Sequence, residues 1–188
     1  WFYEGGGIYR HVWLTKTSPL HISQDGISIS TTFRKGYSRP LLNVRADLFN
    51  ASHDTVRGSV RYAVLDAEGR QIAATTDEGN PTRCLRFLPM QTRRSAFQYI
   101  IPIDNPQLWS PDTPYLYTLV AEVIVGGKTV DNKAVRFGVR DVVFDKDRGL
   151  LLNGKPLKIK GVNMHQDHAG VGAAIPDALQ AYRIRRLK

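Results

Sequence analysis

Residues 160 to 170 read KGVNMHQDHAG, and within them Asn163, His165, Asp167 and His168 crowd the end of an apolar run in a chain that has five histidines in all. Imidazole, carboxylate and amide side chains at this spacing fit a metal site, the rim of an active site where Asp167 fixes the orientation of a histidine, or a polar turn.

The metal reading rests on Asn163-x-His165-x-Asp167-His168, which differs by one residue from H-x-H-x-D-H, the di-zinc motif of metallo-β-lactamase-like hydrolases. The residue that differs is the first ligand. Asparagine is a poor zinc ligand, and no histidine follows His168 to complete such a site. The sequence therefore points to no metal and no cofactor. The solvated-loop reading follows from the polarity of loops in general. The active-site reading follows from position, because ligands meet α/β folds at the C-terminal ends of strands and the cluster comes directly after LKIKGVN.

Other catalytic arrangements find no support. There is no G-x-S-x-G nucleophile elbow. Glycoside chemistry needs a pair of carboxylates, yet Glu4, Glu68, Glu78 and Glu122 fall in turns or on strands of a sheet-like region. The expectation is that no catalytic residue lies in this chain.

The elements that must position the cluster follow from the periodicity. From about residue 27 to 139 apolar residues alternate: Ile27, Ile29, Thr31, Phe33; Leu42, Val44, Ala46, Leu48; Val60, Tyr62, Val64; Phe97, Tyr99, Ile101, Ile103; Tyr117, Leu119, Ala121, Val123, Val125; Val135, Phe137, Val139. Turn residues separate these runs at Gly36 and Pro40, Asp66 with Gly69, Gly79-Asn80-Pro81, Asn105-Pro106 and Gly126-Gly127. With the weaker Gln71 to Thr76 this gives about seven strands, the expectation for an immunoglobulin-like β-sandwich. Before it, Ile8, Arg10, Val12 and Leu14 predict one more strand. After Arg140 come a short strand, a turn at Asp147-Arg148-Gly149, another strand, an Asn153-Gly154 hairpin signal and then Leu157, Ile159 and Val162. Pro176-Asp177 starts a helical pattern with Leu179, Tyr182 and Leu187.

Composition narrows the classes. At 188 residues and 42% hydrophobic the chain can bury one ordinary core. One cysteine, Cys84, excludes a disulfide framework and a cysteine-based zinc site. The net charge of +9 invites a nucleic-acid reading, but the arginines are scattered, and only Arg183, Arg185, Arg186 and Lys188 bunch. A solvated surface explains them, and no nucleic-acid partner is expected. No apolar run approaches the roughly 20 residues a bilayer span needs and no leader opens the chain. It reads as soluble, with bacterial periplasm and cytoplasm both left open.

Three segments in order carry a family resemblance. WFYEGGGIYRHVWL resembles the end of the sugar-binding jelly-roll domain of glycoside hydrolase family 2, NPQLWSPDTPYLYTL its sandwich signature, and FGVRDVVFDKDRGLLLNGKPLKIKGVNMHQDH its passage into a (β/α)8 barrel. The resemblance implies a mainly β chain. Residues 1–16 would be the last strand of an upstream sugar-binding domain and 17–140 an immunoglobulin-like β-sandwich. Residues 141–188 would be the truncated first β/α unit of a TIM barrel, its first strand running from Leu157 to Val162. It also implies that Asn163, His165, Asp167 and His168 line a substrate pocket, with His165 and His168 foremost. The histidine pair is more similar to β-galactosidases than to β-glucuronidases or β-mannosidases. The family is retaining, with a Glu acid/base after an Asn and a Glu nucleophile about 5 to 5.5 Å apart. This chain has no Asn-Glu dipeptide. It is expected to be an inert piece of a β-galactosidase-like exo-glycosidase whose substrate is a terminal β-galactoside, and to self-associate through the apolar edges of its barrel segment. The competing reading is a freestanding sandwich module binding carbohydrate or a polyanion. Trp109 could stack on a sugar ring, although the resemblance favours a structural role. The Gly5-Gly6-Gly7 triplet lacks the helix and Lys-Ser/Thr of a phosphate loop.

Overall fold

A computed structural model describes residues 8–34, 36–75 and 85–188, with backbone only over 93–96. The Gly5–Gly7 triplet, the Gly79-Asn80-Pro81 turn and Cys84 lie outside the described residues. Those described form two compact units, Thr17–Lys158 and residues 8–16 with Ile159–Lys188.

In the first unit the alternating runs become strands because each buries one face. β1 (Leu20–Thr32), β2 (Leu41–Asn50) and β6 (Gln91–Pro102) make one antiparallel sheet in the order β1-β2-β6. β3 (Val56–Leu65), β4 (Gln71–Ala74), β7 (Tyr117–Val125) and β8 (Lys128–Phe137) make a second in the order β4-β3-β7-β8, with β5 (Leu85–Phe87) paired to the start of β3. This is the strand arrangement of an immunoglobulin-like sandwich. Leu42, Val44, Ala46 and Leu48 from one sheet meet Val60, Tyr62, Val64, Leu119, Ala121 and Val123 from the other, all buried. Tyr62 and Tyr99 meet edge-on at 5.5 Å, and the Tyr62 hydroxyl donates to the Phe97 carbonyl at 2.9 Å. Burial pushes the Tyr62 phenol far above its usual range, so it remains a donor.

Tyr117, at the start of β7, accepts the Gln107 N–H on its hydroxyl at 2.8 Å. This is the tyrosine corner of such sandwiches and fixes the proline-rich crossover from β6. β1 begins at Leu20, ahead of the expected Ile27, and carries a register shift between Ile22 and Ile27. Asp25 has φ 53°, and a Cβ on Gly26 would meet the carbonyls of Asp47 and Ser23 at 2.8 Å. The bulge breaks the alternation and conceals the first half of the strand.

A third small sheet, β9 (Val142–Asp145), β10 (Gly149–Leu152) and β11 (Lys155–Pro156), completes this unit. The expected Asn153-Gly154 turn is present, with φ 51° and 75°. Residues 8–16 and 157–162, both expected as strands, form no ladder with any described strand. Alternating apolar residues become a strand only where a second strand supplies hydrogen-bond partners. In the second unit α1 spans Asp177–Leu187 with Pro176 as its N-cap, and none of its residues is buried. Among the described residues no helix is long and apolar enough to cross a membrane.

The β3–β4 turn holds a carboxyl whose ionisation is tied to the folded structure. Burial alone would raise the Asp66 carboxyl. That is outweighed by the Arg70 N–H at 2.8 Å, the Arg70 guanidinium at 2.7 Å and the Glu68 N–H at 3.1 Å, so its pKa lies below the usual range. Asp145 is lowered in the same way, by the Arg148 N–H and guanidinium and the Asp147 N–H. Carboxyls that ionise more easily folded than unfolded stabilise fully above the unfolded value, and this stabilisation is lost as pH falls through the folded one. Urea midpoints of the wild type should therefore fall between about pH 5 and about pH 2 more steeply than those of Asp66→Asn. Parallel profiles would remove Asp66 from the explanation.

Candidate functional site

The loop after the hairpin carries the four expected site residues. Asn163 and His165 are exposed, Asp167 and His168 half-buried. Their placement comes from a short bridge: the His168 N–H donates to the Gly172 carbonyl at 3.0 Å and the Gly172 N–H returns to the His168 carbonyl at 2.9 Å. Gly170 and Gly172, with φ 84° and 55°, permit the reversal. The result is a tight turn that presents Asp167 and His168 beside one another.

The chemistry of His168 follows from its ring contact. Nδ1 lies 2.8 Å from the Ala169 carbonyl, which can only accept. That contact places a proton on Nδ1, which in the neutral tautomer leaves Nε2 as an acceptor. Arg183, from α1, donates through Nη2 to the Asp167 carbonyl at 2.7 Å and ties the loop to the helix, while its Nη1 is buried without a partner. Sequence reasoning missed this clamp, because the arginine lies in a basic run with the look of a solvated helix face. The same unit holds two further ties: Arg10 Nη1 to the Ile175 carbonyl at 3.0 Å, and His11 Nε2 to the Asp177 carboxylate at 3.1 Å.

The arrangement can hydrogen-bond a polar ligand. Among the described residues no three His, Cys, Asp or Glu side chains converge as metal ligands. The described glutamates are engaged on the sandwich, Glu122 with Arg61 at 2.6 Å and Glu68 with Arg70 at 3.1 Å.

Trp109 lies on the sandwich and is held there. Its backbone N–H donates to the Val139 carbonyl at 2.8 Å, its carbonyl accepts from Asn153 Nδ2 at 3.0 Å, and the Arg140 guanidinium sits 4.8 Å above its ring. A Cβ on Gly138 would come within 2.7 to 2.9 Å of its Cβ, Cγ and Cδ1. With its ring so covered, Trp109 acts as a corner piece rather than an open stacking platform.

Comparison with known proteins agrees with this architecture. The family model described as glycosyl hydrolases family 2 matches residues 20–140. A β-galactosidase of Bacteroides ovatus is 36% identical over 93% of this chain and 19% of its own length. A β-glucuronidase of Formosa agariphila is 26% identical over 98% of this chain and 19% of its own. Among solved structures, a family 2 member from Bacteroides cellulosilyticus superposes with a TM-score of 0.82 and 26% identity, covering 98% of this chain and 24% of that one. The chain thus spans about one fifth of the length of the curated relatives it matches.

Proposed function

Because this chain belongs to glycosyl hydrolases family 2, we propose that it is a non-catalytic part of a retaining, β-galactosidase-like exo-glycosidase acting on terminal β-galactosides. Residues 1–16 close a sugar-binding domain, the sandwich of 17–140 links it onward, and 141–188 open the (β/α)8 barrel. The observation that carries this reading is the G-V-N-x-H-x-D-H loop on a chain 36% identical to a β-galactosidase. A sugar's hydroxyls both donate and accept. His168 Nε2 supplies an acceptor, Asn163 supplies both kinds of group, and His165 is exposed to reach a ring. Asp167, next to the clamp from Arg183, adds a carboxylate acceptor.

Catalysis belongs to glutamates elsewhere in the parent, since this chain has no Asn-Glu dipeptide and both described glutamates already hold arginines. The isolated chain is inert. It also leaves Phe144 80%, Ile159 69% and Val162 67% exposed, which favours self-association.

The test is hydrolysis of chromogenic β-galactoside, β-glucuronide and β-mannoside by this chain and by the full-length protein. The full-length protein should cleave the galactoside and this chain none of the three. In the full-length protein, His165→Ala and His168→Ala should each lower kcat/KM about ten- to a hundredfold, the worth of one lost hydrogen bond to substrate. Preference for the glucuronide would overturn the substrate, and turnover by this chain would overturn the assignment of the chemistry.

A further inference from the structure

The edges of the two sandwich sheets, β1 and β8, meet along one side of the domain, and they are tied together over only part of their length. At one end Ser18 Oγ donates to the Val130 carbonyl at 2.6 Å, the Ile22 N–H to the Asp131 carboxylate at 2.8 Å, and Lys133 Nζ to the Ser23 carbonyl at 3.4 Å. At the other end the strands part into an open groove of about 450 Å³, lined by Ile29, Thr31, Trp109, Arg136, Phe137 and Arg140 among others. Its volume lies within the range of small-molecule sites.

The charge of the groove is one-sided. Arg136 and Arg140 are exposed, and no acidic residue lines the groove. Among the described residues neither guanidinium has a carboxylate partner, although Asp66, Glu68, Glu122 and Asp145 elsewhere on the same unit each hold an arginine. The stacking of Arg140 on Trp109 fixes that guanidinium's place while leaving its N–H groups free, and the indole N–H has no partner among the described residues. Arg136, Arg140, Trp109 and Thr31 thus line one groove. Arginine forks suit carboxylates, and hydroxyls suit polyols.

We propose that this groove is a second ligand site, distinct from the loop of residues 163–168, which binds the carboxylate of a sugar acid. Arg136 and Arg140 hold the anionic group, and Thr31 reaches a ring hydroxyl. Since Trp109 is already covered, recognition rests on the carboxylate and not on ring stacking, so the neutral sugar of the same shape is a poor ligand.

Galacturonate and galactose form the discriminating pair, differing in the carboxylate alone. Titrated into this chain and followed on the indole resonance of Trp109, assigned with Trp109→Phe, galacturonate should give a saturable shift at least about tenfold tighter than galactose. Arg136→Gln, on an exposed strand position and checked for an unchanged melting curve, should weaken it about tenfold, while Arg140→Lys should weaken it less than Arg140→Gln. The full-length protein should show the same shift. Equal affinity for galactose, wild-type affinity in Arg136→Gln, tetraglutamate binding as tightly as galacturonate, or no shift in the full-length protein would each overturn the proposal.

Discussion

Asn50→Ala should lower the stability of the sandwich by about 4 kcal/mol, a large share of the roughly 5 to 15 kcal/mol such domains possess. Asn50 ends β2 at 0% exposure. Its amide donates to the carbonyls of Asp54, Phe87 and Leu88 at 2.8, 3.2 and 3.3 Å, and its Oδ1 accepts the Ser52 N–H at 3.1 Å and the Ser52 hydroxyl at 2.7 Å. One side chain thus satisfies the turn between β2 and β3 and the end of β5. Alanine strands the buried Phe87 carbonyl, at about 1 to 3 kcal/mol, removes the part-buried bonds to Asp54, Leu88 and Ser52, each worth about 1 kcal/mol or less, and leaves a space in the core. Asn50→Asp should lose a similar amount, because a carboxylate would face the carbonyls that the amide now serves. Urea unfolding followed by circular dichroism reads the effect. A loss under about 1 kcal/mol would show that water replaces the side chain and that the network is dispensable.

The strands that were legible are those whose two faces differ. Leu42 to Leu48 and Leu119 to Val123 alternate without interruption, because one face is wholly buried against the opposite sheet. The first half of β1 was not legible: Ser23, Gln24 and Asp25 interrupt its pattern where five steps along β1, from Ile22 to Ile27, oppose two along β2, from Leu48 to Ala46, and this odd excess reverses the alternation. β5 is too short to show a period, and its existence depends on the backbone of β3. The alternation in residues 8–14 and 157–162 misled for the opposite reason, since pattern reports which residues prefer burial and not whether a ladder partner is at hand.

The candidate loop was legible by composition, because histidine, aspartate and asparagine at the end of an apolar run are uncommon enough to notice. What holds the loop was not. Arg183 acts through the Asp167 backbone carbonyl, a group that every residue has and no sequence pattern marks. The groove of Arg136 and Arg140 was hidden likewise. These arginines lie four positions apart, one near the end of β8 and one past it, and only the fold brings them to one groove with Thr31.

Asn153→Ala should detach the β9–β11 sheet, with a local cost of about 3 kcal/mol and about a hundredfold loss of amide protection over 142–152. The backbone at Asn153 is left-handed, which costs alanine about 1 kcal/mol more than asparagine or glycine. Its Oδ1 accepts the Asp141 N–H at 2.9 Å and its Nδ2 donates to the Trp109 carbonyl at 3.0 Å, so one side chain fastens the hairpin turn to the sandwich at two points. Each bond contributes about 1 kcal/mol. The Tyr37 hydroxyl adds a third tie through Asp141 at 3.2 Å, and Asn153→Ala leaves it intact. The sandwich core itself, centred on Val44, Tyr62 and Leu119, makes none of these contacts. Hydrogen exchange should therefore show the small sheet opening while β2, β3 and β7 keep their protection. Asn153→Gly separates the two causes, since it removes both side-chain bonds but accepts the left-handed backbone. It should recover about 1 kcal/mol of the loss. If glycine recovers nothing, the hydrogen bonds alone hold the hairpin. If glycine restores full protection, the two bonds contribute nothing and the turn geometry is the anchor.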